Sequence, residues 1–178
     1  MYRPEVDKTF FCYGGTPLDA YLKHSKEDLN GDQPFSRKRE GFLLHMISYF
    51  DHKTGQVPQP TILLDKNTAD AHDNPVISID DDGYIWIFST SHGLSRPSYI
   101  HRSNEPYNID SFEQIDVTYR LNGEERPMDN FSYMQAWQLP NRGFINFVTR
   151  YKDPSDRTLF FITLSLIHIW RCRRIERC

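Results

Sequence analysis

Pro75-Val-Ile-Ser-Ile-Asp-Asp-Asp-Gly-Tyr-Ile-Trp-Ile-Phe-Ser-Thr90 reads as a strand, a tight turn and a returning strand. Val76, Ser78 and Asp80 alternate with Ile77 and Ile79, Asp81-Asp82-Gly83 carries turn chemistry, and Tyr84 to Phe88 is an aromatic and β-branched run. A chain that goes out and comes back brings its two outer ends together. Those ends are Asp70-Ala-His72-Asp-Asn-Pro75 and Ser91-His92-Gly93, so His72 and His92 are expected as neighbours at the edge opposite the turn. The run Asp80 to Gly83 superficially resembles a calcium loop. Its twelfth position is Ser91 where a glutamate is needed, so it is read as a hairpin turn.

Outward from this hairpin, short strand patterns recur with turns between them and no long helical periodicity appears, which predicts an all-β chain. Candidate strands are Lys8 to Tyr13, Gly41 to Phe50, Pro60 to Leu64, Pro75 to Asp80, Tyr84 to Ser89, Ser98 to Ser103, Glu113 to Val117, Tyr133 to Gln138, Gly143 to Tyr151 and Thr158 to Thr163. Turns are expected at Asp51 to Gly55, Asp80 to Gly83, Pro140 to Gly143 and Asp153 to Asp156, with polar loops at Thr16 to Arg39 and Leu121 to Asn130. Four-stranded units of about 40 to 50 residues are the mark of a β-propeller. Pro75 to Val117 makes one blade, Gly41 to Leu64 ends the blade before it, and Tyr133 to Thr163 begins the next. Residues 1–163 are therefore expected to be an incomplete propeller of about two to three blades.

The last segment, Leu164-Ser-Leu-Ile-His-Ile-Trp-Arg-Cys-Arg-Arg-Ile-Glu-Arg-Cys178, changes character abruptly. From Leu164 to Arg174 it resembles a translated sequencing adapter, with a stop codon read as Trp170. Residues 164–178 are accordingly expected to be a non-native tail, the alternative being a basic amphipathic terminal helix. The tail holds Arg171, Arg173, Arg174 and Arg177 against Glu176, so the body is more acidic than the whole chain's net charge of −3.

With 178 residues, 38% of them hydrophobic and 14% aromatic, the chain can bury one good core. Its basic residues are scattered and outnumbered, which argues against a nucleic-acid partner, and no apolar run suggests a membrane span. Cys12, Cys172 and Cys178 show neither metal-ligand spacing nor a disulfide framework. The beginning, Met1 to Lys8, carries no apolar signal core.

The run Asp70 to Phe112, with its two histidine loops, its Asp-Gly hairpin and Ser98-Tyr-Ile-His-Arg-Ser103 followed by Pro106 and Ile109, resembles the BNR repeat (BNR-4) family. That family is similar to sialidases in architecture and includes relatives of seven-bladed ulvan lyases. The likeness spans most of residues 8–163 and is most specific at the His72 and His92 loops and at Ser132-Tyr133 with Thr149-Arg150. In ulvan lyase-like propellers two histidines flank such a hairpin, and a tyrosine and an arginine follow from the next blade. The sequence departs from sialidases. Their Asp box reads Ser-x-Asp-x-Gly-x-x-Trp, whereas Ser78 to Trp86 is one residue longer, and no trio of arginines suits a sialic acid carboxylate.

The resemblance implies a secreted or periplasmic protein acting on a polysaccharide or oligosaccharide. No cofactor or metal is expected, and composition points to neither nucleic acid nor membrane as partner. Eliminative cleavage of a uronic acid polymer removes the proton beside the carboxylate and expels the glycosidic oxygen. It needs a cation, a base and an acid. Arg150 suits the carboxylate, imidazole titrates near working pH and suits the base at His92, Tyr133 suits the acid or a share of the base role, and His72 suits binding or polarisation. Which histidine carries which role stays open at this level.

Asn74, Arg96 and Tyr99 are expected to bind substrate. Taken singly, His72 also reads as a turn residue, Tyr133 as packing beside Phe131 and Trp137, and Arg150 as a strand-end snorkel. It is the four together that point to a site. His24, His45, His52 and His101 have no partner at matching spacing, and His168 lies in the tail. A sialidase- or rhamnosidase-like glycoside hydrolase would ordinarily use two carboxylates, for which Asp70, Asp73 and Asp129 stand nearby. A noncatalytic carbohydrate-binding propeller is the third reading.

Overall fold

The computed structural model describes residues 1–15, 42–68, 70–121, 123–140, 143–152, 157–164 and 172–174. Their strands are β1 (Tyr2–Arg3), β2 (Lys8–Gly15), β3 (Leu44–Asp51), β4 (Thr61–Asp65), β5 (Pro75–Ile79), β6 (Ile85–Ser89) and β7 (Tyr99–Ser103), then β8 (Phe112–Gln114), β9 (Thr118–Leu121), β10 (Glu124–Pro127), β11 (Ser132–Leu139), β12 (Gly143–Tyr151), β13 (Arg157–Leu164) and β14 (Cys172–Arg174). No helix occurs among the described residues. Strands β1 to β4 form one antiparallel sheet in chain order and β5 to β8 a second. The third sheet runs β10-β9-β14-β13-β12-β11. The chain is all-β, and these stacked sheets make it part of a β-propeller.

Strand β6 shows why the sheets stack. All five of its residues are buried. Successive side chains of a strand point to opposite faces, so Ile85 and Ile87 join Phe10 and Ile47 of the first sheet, while Trp86 and Phe88 join Phe144 and Val148 of the third. The Trp86 and Phe144 rings meet edge to face at 5.6 Å. A strand covered on both faces is apolar at every position rather than at alternate ones, and each large side chain so buried contributes about 1.5–3 kcal/mol.

The hairpin turn is a three-residue loop closed by Gly83 N–H to the Asp80 carbonyl at 3.1 Å, with Gly83 at φ +87°. Asp80 Oδ1 accepts the N–H groups of Asp82 and Tyr84, and Oδ2 accepts the Trp86 indole N–H at 2.8 Å. The extra residue relative to an Asp box is thus absorbed within the turn, and the aspartate still reaches the tryptophan.

Gly41 to Leu64 holds β3 and all but the end of β4, the last two strands of the first sheet, as expected, with β1 and β2 before them. One expectation changes. The polar stretch Leu121 to Asn130 is no loop but holds most of the β9–β10 hairpin, turned at Gly123 with φ +87°. Glu124 and Glu125 of β10 are both exposed, so the hydrophobic signal of the hairpin lies on the β9 side, at Val117 and Tyr119. In the tail, β14 pairs antiparallel with β13 and parallel with β9 at Cys172↔Tyr119. The expected Thr16–Arg39 loop, turn positions 141–142 and 153–156, and residues 165–171 and 175–178 lie outside the described residues.

Candidate active site

The loop before β5 is a stack of side-chain-capped turns. Thr68 Oγ1 accepts the Asp70 N–H, the Asp70 carbonyl accepts the Asp73 N–H at 3.0 Å, and Asp70 Oδ1 accepts the His72 N–H at 3.1 Å. Short polar side chains compete well for nearby backbone donors, which is why this Thr-x-Asp-x-His-Asp-Asn run turns tightly. The loop after β6 is tied to it. Asp73, fully buried, accepts the His92 N–H at 2.6 Å through Oδ1 and Arg96 Nε–H at 2.9 Å through Oδ2. Thr90 Oγ1 donates to the Asn74 carbonyl at 2.6 Å, joining the two ends of the hairpin.

These ties place the imidazoles of His72 and His92 4.6 Å apart, tilted by 31°. Between them lies one carboxylate. Asp70 Oδ1 is 2.7 Å from His72 Nδ1 and Oδ2 is 2.9 Å from His92 Nδ1. The acid's side chain is 4% exposed, whereas His92 is 22% and His72 54% exposed.

The third sheet supplies the roof. Ser91 N–H donates to the Phe131 carbonyl at 3.1 Å, and Ser132 Oγ donates to the Ser91 carbonyl. The β11–β12 register shifts between Ser132 and Gln135, and Tyr133 stands in that irregularity at φ +48°. A non-glycine residue there is uncommon, and such strained positions gather at functional sites. The Tyr133 ring lies edge-on to both imidazoles, at 6.0 Å from His72 and 5.8 Å from His92, and is 43% exposed. Tyr151 stands edge-on to His92 at 5.7 Å. A recess of about 170 Å³ opens beside the cluster, with His72, Asn74, Thr90 and Tyr133 on its wall and Val76 and Met134 among its apolar lining.

Behind the loops lies a buried polar layer. His45 donates its Nε2–H to the Asp73 carbonyl, and burial lowers its pKa to about 4. Lys66 donates to Ser91 Oγ and to the Pro97 carbonyl, and burial lowers its pKa to about 8 despite the nearby Asp73 charge.

The structure thus brings together His72, His92, Tyr133 and Asn74. Arg96 is turned to Asp73 and Ser95, and Tyr99 lies under the Lys66 ammonium at 5.1 Å. Arg150 is 3% exposed, its guanidinium 4.4 Å from the centroid of the Tyr119 ring. Two contributors were less legible. Asp70 stood out only as one acid of a possible pair, although an aspartate two residues before a loop histidine is itself a capping signal. Tyr151 read as the end of a strand, and nothing local marked it.

Asp70, His72 and His92 are also the group among the described residues that could share a metal ion, with donor atoms within 4.8 Å of one another. The pairs at 2.7 and 2.9 Å are closer than the more than ~3 Å that separates two donors on a tetrahedral zinc at about 2.0–2.2 Å. They have the length of N–H···O⁻ hydrogen bonds.

Residues 45–156 match a family described as BNR repeat-containing family member. This span includes every residue of the cluster. No curated protein matches the chain.

Proposed function

This chain belongs to the BNR repeat-containing family, and from that premise we propose that it is part of a carbohydrate-active propeller, a polysaccharide lyase that cleaves uronic acid-containing polysaccharide by β-elimination. The observation that carries this reading is the pair of imidazoles held on Asp70 beneath the strained Tyr133. Base and acid groups stand side by side next to an open recess, as proton abstraction and leaving-group protonation require.

In the reaction, an imidazole Nε2 of His92 or His72 takes the proton from the carbon beside the uronate carboxylate. The electron pair of that C–H bond forms the C=C bond, the C–O bond to the leaving sugar breaks with its electrons, and the Tyr133 hydroxyl protonates the departing oxygen. Asn74 orients the sugar from the wall of the recess. Arg150 supplies the cation that offsets the developing carboxylate charge, and direct pairing with substrate requires its guanidinium to leave the Tyr119 ring. Support for elimination over hydrolysis comes from two of the three acids that a hydrolase would draw on, Asp129 being the exposed third. Asp70 and Asp73 are buried, and their oxygens accept from His72, His92 and Arg96.

The test is ultraviolet absorbance during incubation with ulvan and other uronate polymers, because the new C=C bond is conjugated with the carboxylate. Absorbance should rise with the unaltered protein and not with His92→Ala. Reducing ends released without absorbance would replace this reading with hydrolysis, and retention on the polymer without either product would replace it with binding alone.

A further inference from the structure

Two histidines of one site both turn Nδ1 toward a single buried acid, more than either role in the proposed reaction needs alone. We infer that Asp70 is the positioning residue that sets both tautomers at once, so that His72 and His92 each carry the lone pair on Nε2. The inference rests on the lyase reading for its use but on geometry for its content.

An ionised carboxylate only accepts hydrogen bonds, so a ring nitrogen 2.7 or 2.9 Å from it must be the protonated one. With Nδ1 protonated, a neutral imidazole has its basic lone pair on Nε2, across the ring from Asp70. The acid cannot easily be turned elsewhere. It is almost excluded from water, its N–H and C=O are bound to Thr68 and Asp73, and Oδ1 also holds the His72 N–H. The two rings are 4.6 Å apart, and one carboxylate balances one positive charge. With both lone pairs on Nε2, one ring can serve as the base and the other as an acceptor toward the sugar.

The tautomers can be read directly. Long-range proton–nitrogen NMR of the 178-residue chain labelled with ¹⁵N, recorded at a pH where both rings are neutral and assigned with His72→Gln and His92→Gln, should show both with Nδ1 protonated and Nε2 bare. Asp70→Asn offers one acceptor oxygen and one NH₂ donor, so one of the two rings should switch to the Nε2–H tautomer. An Nε2–H ring in the unaltered protein, or two unchanged rings in Asp70→Asn, overturns the inference.

On a polymer that is turned over, Asp70→Asn should lower kcat at least about tenfold with KM within about twofold. An unchanged kcat also overturns it. If no uronate polymer is cleaved, the lyase reading falls while the NMR result still decides the role of Asp70.

Discussion

Trp86 donates its indole Nε1–H to Oδ2 of Asp80 at 2.8 Å, across the turn whose backbone the same carboxylate caps through Oδ1. Trp86 is 2% exposed, so this N–H has no access to solvent if the acid is removed. Asp80→Ala should lower stability by about 3 kcal/mol, combining an orphaned buried donor with two lost turn bonds. Urea unfolding followed by tryptophan fluorescence measures it, and an effect below about 1 kcal/mol would show the turn to be held by backbone alone.

Gly83 is a second fixed point of the same turn. Its φ of +87° suits glycine, and a Cβ there would stand 2.6 Å from the Tyr107 ring, which packs with Pro106 over the loop. Gly83→Ala should cost more than about 1 kcal/mol, read as a fall in thermal midpoint. Adding Tyr107→Ala removes the clash and leaves the φ penalty, so the double variant should lose less than the sum of the two single variants.

His45 predicts a pH dependence. Its folded pKa of about 4 lies below the ordinary 6.5, so between these values the unfolded chain binds a proton that the folded chain does not. The contribution is complete above about pH 6.5 and is lost as pH falls toward 4, amounting to about 3 kcal/mol on full protonation. His45→Gln removes the titration while keeping a donor for the Asp73 carbonyl. Its urea midpoint should vary less than that of the unaltered protein between pH 7 and pH 4.5, and parallel curves would assign the acid sensitivity to other groups.

Tyr133 tests the proton donor. Tyr133→Phe keeps the ring that stands edge-on to both imidazoles and removes the hydroxyl. Turnover of a uronate polymer should fall about 10²-fold or more, with KM changed little. A rise in KM at constant kcat would instead make Tyr133 a sugar platform.

Much of the fold was legible in the chain. The alternation from Val76 to Asp80, the Asp-Gly turn and the unbroken apolar run Ile85 to Phe88 specify β5 and β6, and the same logic finds most of the remaining strands. The β9–β10 hairpin escaped although Ile115, Val117, Tyr119 and Leu121 alternate with polar residues and Asn122-Gly123 is a hairpin-turn pair, because its second strand, Glu124–Pro127, carries no apolar signal beyond its proline and is mostly exposed.

For the site, the division follows from how far each argument reaches along the chain. A hairpin must return its ends to one another, so the pairing of His72 with His92 is decided by local sequence. Which groups meet that pair from elsewhere depends on packing between sheets. Adjacent residues of a strand face opposite ways, yet nothing in Thr149-Arg150-Tyr151 says which of them meets His92. The register of β12 against β11 and the stacking of the third sheet on the second bring Tyr151 to the imidazole and lay Arg150 over Tyr119. The irregularity that places Tyr133, and the folding of one loop that turns Asp70 toward both rings, are likewise properties of the assembled sheets and turns. Sequence alone determined the propeller hairpins and the histidine pair, because those rest on period and turn chemistry. The tertiary structure decided the company the pair keeps, because that is set by contacts between residues far apart in the chain.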